Sequence, residues 1–253
     1  MRSNRILDIE EYIIEHKNVS LDTLCEVFNV SKNTIRRDIN ELANKGTIKK
    51  VYGGVAINEA STLIPFTERN IKNIPAKSKI AQYCSNYIND GDIIFMDSGT
   101  TTLYVIDYLK DKKNLTIITN NLEIIIKALD LSNLNIICLP GNLIRKTNSF
   151  VGVDTTDVLN KYNITKSFLA STGISIECGL TNSHPLESEI KKLAIKKSMS
   201  TFLLVDSTKF DKSSLITYGN LEDIDYLITD KKPSKKYINF CNSNDVSLIS
   251  CDE

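Results

Sequence analysis

Four runs of this sequence combine residue types that can do chemistry. The first is Asp97-Ser98-Gly99-Thr100-Thr101-Thr102, small hydroxyl side chains around a glycine. Where such a run follows a strand and opens a helix, its hydroxyls and backbone N–H groups hold an anion, phosphate above all. The same composition also makes an ordinary N-cap turn. The second run, Asp206-Ser207-Thr208-Lys209, supplies a lysine that can neutralise such an anion, or simply occupy a surface turn. The third, Thr119-Asn120-Asn121, offers amides that hydrogen-bond hydroxyl groups, or cap the next helix. Each follows a short apolar stretch, so all three fall on one rim of a sheet. Together they point to a pocket more firmly than any one alone.

The fourth run, Ser31 to Gly54, carries cations and amides on a helix. Ser31 is suited to be an N-cap and Gly46 a helix stop. Ile35, Ile39 and Leu42 recur at i, i+4 and i+7 and make one apolar stripe. At about 100° per residue, Asn33, Arg37, Asn40 and Asn44 point away from it, with Thr34 and Arg36 on the flanks. Arginine pairs bidentately with guanine and asparagine with adenine. A solvated helix face is the bland alternative. The preceding residues tip the balance. Leu21, Leu24, Cys25 and Phe28 form a second apolar stripe after the N-cap Ser20, and only Asn29-Val30 separates the two helices. Two short helices joined by a tight turn, with the polar face on the second, are a helix-turn-helix. Ile48–Tyr52 and Val55–Ile57 then read as strands around Gly53-Gly54, a hairpin bearing Lys49 and Lys50 as a phosphate-touching wing. The residues expected to face DNA are Ser31, Lys32, Asn33, Thr34, Arg36, Arg37, Asn40, Lys49, Lys50 and Tyr52.

The elements that position these runs follow from periodicity. A first helix spans Asn4 to Lys17 with Ile6, Ile9 and Ile13 inward, so residues 1–57 form the winged helix-turn-helix. Over 58–74 the periodicity fails, with Ser61-Thr62, Pro65 and Pro75 marking a linker. From 75 to 253 apolar strands alternate with amphipathic helices: Ile93–Met96, Leu115–Ile118, Ile136–Leu139, Ser167–Ala170, Phe202–Val205, Tyr226–Ile228 and Val246–Ile249 are the strands. That alternation predicts an α/β domain with a mostly parallel sheet covered on both faces. In such sheets ligands bind beyond the carboxyl ends of the strands.

The bulk numbers exclude several classes. A chain of 253 residues, 42% hydrophobic and 25% charged, folds as a small domain plus a full α/β domain. No apolar run approaches the roughly 20 residues of a spanning helix, and charges stand where a signal peptide needs its apolar core. The expected location is the cytoplasm. The six cysteines are scattered, and with two histidines they have no zinc spacing, so neither metal nor cofactor is expected. Net charge is +0, which argues against a general polyanion binder. Between Lys32 and Lys50, however, six cations (Lys32, Arg36, Arg37, Lys45, Lys49, Lys50) face two acids (Asp38, Glu41). That local excess suits specific DNA binding.

The run Val30-Ser31-x-x-Thr34-Ile35-Arg36-Arg37-Asp38-Ile39-x-x-Leu42, with Gly46 and Tyr52-Gly53-Gly54 behind it, resembles the DNA-binding head of DeoR-type bacterial transcription regulators. The second domain is similar to that family's effector domain through several landmarks in order. These are Gly91-Asp92, Asp97 to Thr102, Thr119-Asn120, Gly173-Ile174, Gly179-Leu180-Thr181, Asp206 to Phe210 and Ile228-Thr229-Asp230. The resemblance implies a repressor of carbohydrate genes on double-stranded operator DNA, whose effector domain is like ribose-5-phosphate isomerase and binds a sugar phosphate. Because helix-turn-helix proteins commonly bind paired half-sites as dimers, a homo-oligomer is expected. By this likeness Ser98, Gly99, Thr100, Thr101 and Thr102 hold the phosphate, while Asp97 and Lys209 line the sugar side, with Asn120 and Gly141 nearby. Three departures bear on which sugar is bound: Pro140-Gly141-Asn142 in place of a Gly-Gly pair, Ser175 in place of an acid, and His184-Pro185 ahead of Glu187. The alternative is an aldose–ketose phosphate isomerase with an accessory head, using Asp97 as base and Lys209 to stabilise the enediolate.

Overall fold

The computed structural model describes residues 2–44, 48–57 and 64–252. Contacts divide the chain into Met1–Thr62 and Leu63–Glu253. Gly46, the expected helix stop, and residues 58–63 of the expected linker lie outside the described residues.

In the first unit, α1 (Arg2–His16) is followed by β1 (Asn18–Ser20), α2 (Leu21–Phe28), α3 (Lys32–Asn44), β2 (Ile48–Val51) and β3 (Gly54–Ile57). Ile6, Ile9, Ile13, Leu24, Ile35, Ile39 and Leu42 close over one core with Ile48 and Val55. Ser20 caps α2 by accepting from Thr23 N at 3.0 Å. α2 stops at Asn29, which takes the left-handed φ of 48° that asparagine tolerates. β2 and β3 form the expected antiparallel hairpin, with Gly53 at φ 78° in its turn. β1, too short to show alternation in sequence, adds a third strand against β3. A Cβ on Gly54 would lie 2.3 Å from Val19 O, so only glycine lets these strands meet.

The second unit opens earlier than the periodicity predicts. α4 (Phe66–Asn70) falls inside the expected linker, yet Phe66 is buried in the core and its N–H donates to Lys146 O at 2.8 Å. A single aromatic anchor in a five-residue helix leaves no periodic signal. After α5 (Ile74–Ser85) come β4 (Ile93–Met96), α6 (Thr100–Val105), β5 (Leu115–Thr119), α7 (Leu122–Ala128) and β6 (Leu134–Cys138). A hairpin of β7 (Asn142–Ile144) and β8 (Ser149–Val151) leads to α8 (Val153–Leu159) and β9 (Ile164–Leu169). Then follow β10 (Gly173–Ser175), β11 (Gly179–Asn182), α9 (Pro185–Lys197), β12 (Ser198–Leu204), β13 (Ile216–Gly219), β14 (Tyr226–Thr229), α10 (Lys235–Ser243) and β15 (Ser247–Ser250).

Seven strands make the main sheet in the order β15-β14-β12-β9-β4-β5-β6, and every pairing in it is parallel. Its two faces carry separate cores. Phe95, Ile118, Leu169 and Leu203 point to one, while Ile94, Met96, Ile117, Phe168 and Phe202 point to the other. β10, β11 and β13 form a smaller antiparallel sheet. From β4 the chain steps outward through β5 and β6, then returns to β9 on the other side of β4 and steps outward the opposite way. The strand order therefore reverses between β4 and β9, and the crevice beyond their carboxyl ends is where an open α/β sheet binds ligands.

Candidate functional site

α3 separates its faces as expected: Ile35, Ile39 and Leu42 are buried, while Asn33, Arg36, Arg37 and Asn40 are exposed. Ser31 Oγ accepts from Thr34 N at 3.4 Å and shares a hydrogen bond with Thr34 Oγ1 at 3.0 Å, so these hydroxyls serve the cap. Lys32 pairs with Asp22 at 2.5 Å, an exposed bridge worth little in stability. Asp38 is buried and takes a 2.9 Å hydrogen bond from Arg5 Nε, tying α3 to α1. On the hairpin Lys49 and Lys50 are exposed and face opposite sides of the ribbon, and Tyr52 stands fully exposed at its tip.

In the second unit the hydroxyl-rich run sits at the switch point between β4 and β9. Asp97, 1% exposed, organises it. Its Oδ1 accepts from Gly99 N at 2.9 Å and Thr102 Oγ1 at 2.9 Å. Its Oδ2 accepts from Ala170 N at 2.8 Å and from Lys191 Nζ. A Cβ on Gly99 would lie 2.4 Å from Ala170 Cβ, so the run passes β9 only as glycine. The Asp97 and Thr102 side chains are thus bonded within the protein and shape the loop. Thr100 and Thr101 make no side-chain hydrogen bond among the described residues. Asn121 caps α7 through Glu123 N at 3.0 Å. Asn120, 1% exposed, donates to Phe150 O at 3.1 Å and leaves Oδ1 without a partner among the described residues. Gly141 lies exposed after the edge strand β6, and its closest approaches are to Thr155 and Val151.

Three charged residues outside the quoted runs complete the surroundings. Glu187, in the first turn of α9 after His184-Pro185, accepts from Ser98 Oγ at 3.0 Å, Ser149 Oγ at 2.6 Å and Asn182 Nδ2 at 3.2 Å. Burial pushes its carboxyl up, but the Ser149 bond, the Lys191 charge, Asn182 and the Arg69 charge outweigh it and hold the pKa below its ordinary value. Lys191 is buried between Asp97 and Ala170 O, the latter at 2.8 Å. Its spacing of four from Glu187 on one helix is the one sequence signal that pairs them. Lys77 of α5 is buried and donates to Arg69 O. Burial lowers its pKa to about 8, with Asp206 opposing and Lys209 and Arg69 reinforcing the fall. Lys209 is lowered by burial too, against Asp206 and with the Arg69 charge. A half-buried group of cations therefore stands beside the switch point. Among the described residues no cluster of His, Cys, Asp or Glu could hold a metal ion. No helix among them is long and apolar enough to cross a membrane.

A winged helix-turn-helix with a cationic, amide-bearing face, joined to a parallel α/β unit with polar strand ends at its switch point, defines a DNA-binding regulator with a sensor for a small molecule. The chain belongs to the DeoR family: residues 5–61 match the DeoR-like helix-turn-helix domain and residues 72–231 the DeoR C terminal sensor domain. It is 48% identical to the HTH-type transcriptional regulator IolR of Bacillus subtilis (strain 168), over 98% of this chain and 99% of that one. It is 29% identical to the glycerol-3-phosphate regulon repressor of Escherichia coli (strain K12), over 96% of each. A D-ribose-5-phosphate isomerase structure is similar over 53% of this chain and 52% of that one, at 15% identity and a TM-score of 0.40, a likeness too slight to bear on activity. The chain is a transcriptional regulator. The isomerase alternative finds no support among these relatives, and Asp97, its would-be base, has both oxygens occupied.

Proposed function

We propose that this chain represses genes of carbohydrate metabolism and is controlled by a phosphorylated sugar bound beyond the β4–β9 switch point. Arg36, Arg37, Asn33 and Asn40 read bases in the major groove, while Ser31, Lys32 and Thr34 hold the helix start against the backbone. Lys49, Lys50 and Tyr52 touch the flanking phosphates. The protein acts as a homo-oligomer on paired half-sites. The relatives' names, regulators and repressors including one of a glycerol-3-phosphate regulon, favour control by a phosphorylated metabolite.

One observation carries the sensor half of this reading. At the switch point the Thr100 and Thr101 hydroxyls make no side-chain hydrogen bond among the described residues, and at the end of the neighbouring strand β5 the buried Asn120 has an unpartnered Oδ1. Most buried polar groups in proteins are satisfied, so the unpartnered Asn120 Oδ1 marks a place where a ligand's hydrogen bond belongs. Asn70 Oδ1, His184 Nδ1 and Thr229 Oγ1 are unpartnered as well among the described residues. Ser98, Gly99, Thr100 and Thr101 take the phosphate, Lys209 neutralises it, and Asn120 receives a sugar hydroxyl. Asp97 and Thr102 hold the loop in shape, and Gly141 shapes the outer rim.

The test is a fluorescence anisotropy titration of the DNA upstream of the protein's own gene, at two salt concentrations, with a panel of sugar phosphates. Salt-sensitive binding that one phosphosugar shifts supports both halves. Binding that no phosphosugar shifts removes the sensor assignment and leaves the regulator.

A further inference from the structure

Arg69 is a cation in acidic company, without an ion pair among the described residues. It lies on α4, half-buried, with its guanidinium 5.4 Å from the Phe66 ring centroid and its Nε donating to Ile64 O at 3.1 Å. Among the described residues its Nη groups have no hydrogen-bond partner either. Two acids, Asp97 and Glu187, act on its charge, but their oxygens are occupied by Gly99, Thr102, Ala170 and Lys191, and by Ser98, Ser149 and Asn182. The backbone around it is pinned. Phe66 is sealed in the core, Arg69 O accepts from Lys77, and Tyr104 of α6 donates to Asn70 O at 3.2 Å. α4 thus packs on the very helix that the hydroxyl-rich loop opens.

A guanidinium presents a planar fork of N–H donors that matches two phosphate oxygens, and it is desolvated more readily than an ammonium. A fork held in place, uncommitted and beside an anion loop is preorganised for such a group. We propose that Arg69 binds the anionic group of the effector together with the Ser98–Thr101 loop, and so makes the segment leading into the sensor unit part of the ligand site. This rests on the sensor reading above and adds its means of transmission. The bound anion gives α4 a bond it lacks in the free protein. α4 begins four residues after Thr62, where the first unit ends, so occupancy is felt at the chain's junction without passing through the sheet.

The test uses the full chain as wild type, Arg69→Met and Arg69→Lys. Melting temperature is followed against inorganic phosphate and against ribose 5-phosphate, with chloride at matched ionic strength as reference. Hydrogen exchange over residues 64–73 is measured with and without each probe. The wild type should be stabilised by at least one probe. Arg69→Met should raise the half-saturating concentration roughly 10- to 100-fold, the scale of losing a charge-assisted bidentate contact. Arg69→Lys, keeping charge without the fork, should fall between. Exchange over 64–73 should slow on binding in the wild type and not in Arg69→Met. A lower melting temperature in chloride with an unchanged response to the probes would make Arg69 a structural anchor, overturning the proposal while the sensor reading stands. Unchanged exchange in a wild type that binds would overturn the transmission. A wild type that responds to neither probe would overturn the proposal and the phosphate reading together.

Discussion

At the end of β4 a single carboxylate fixes the site's geometry. Asp97 bonds the loop it begins, the neighbouring strand end and the buried Lys191. Replacing it by asparagine sets a neutral amide against a buried ammonium, and breaking a buried pair costs about 3–5 kcal/mol. Urea unfolding of Asp97→Asn should therefore show a loss of that order in the sensor unit; a loss under about 1 kcal/mol would place Lys191's charge elsewhere. Glu187 gives a pH test. Its folded pKa lies below the ordinary value, because the Ser149 bond, Lys191, Asn182 and Arg69 together outweigh burial. A depressed carboxylate contributes stability that is complete above its unfolded pKa and is lost as pH falls through the folded one. Between pH about 5 and 3, Glu187→Gln should lose less stability than the wild type. Parallel curves would show that Glu187 titrates alike in both states. Asp97 was legible as a member of a polar run. Its partner Lys191 was not, since 94 residues separate them and only the fold brings them together.

Elements differ in how far their sequence announces them. α3 is legible because its apolar stripe and capping serine are both local. Its exposed face makes a direct prediction: Arg37→Ala should cost about 1–3 kcal/mol in operator binding and relax base preference at one position. If the variant binds as tightly and as selectively as wild type, another face of the head meets the bases. The wing makes a different one. Lys49 and Lys50 carry charge but no base-reading geometry, so replacing both by alanine should weaken binding to all sequences alike. It should also flatten the salt dependence by about 1 for each phosphate no longer neutralised. An unaltered slope would take the hairpin out of the interface. Other elements are silent in sequence. α4 has five residues and one anchor, and β10, β11 and β13 are short, polar at their ends and paired across distant segments. Their hydrogen bonds are specified by tertiary packing around α9, so no local period reveals them.

Over the whole molecule, what the sequence makes readable is whatever repeats: a 3.6-residue stripe, a short apolar strand, a polar strand end. From those came the winged helix, the parallel sheet and the rim on which the hydroxyl-rich loop lies. Lys209 was readable at its strand end, but its grouping with Arg69 and Lys77 stayed hidden because the three come from the turn after β12, α4 and α5. Two functions on one chain imply one more quantity, the free energy that couples them. If a sugar phosphate alters operator affinity, coupling of the usual size, about 1–3 kcal/mol, changes it by roughly 5- to 150-fold. Linkage then requires operator DNA to change the affinity for that sugar phosphate by the same factor and in the same sense. The check is calorimetric titration of the effector into the free protein and into the protein saturated with operator, beside anisotropy titrations of the operator with and without effector. Equal factors establish two sites biasing one equilibrium. A sugar phosphate that weakens operator binding and is excluded from the DNA-saturated protein altogether, instead of binding it with a finite factor, would be acting outside the sensor site, by competing for the cations of α3 and the wing. In that case the shift should shrink as salt is raised, and it should survive replacement of Lys209 and Thr101.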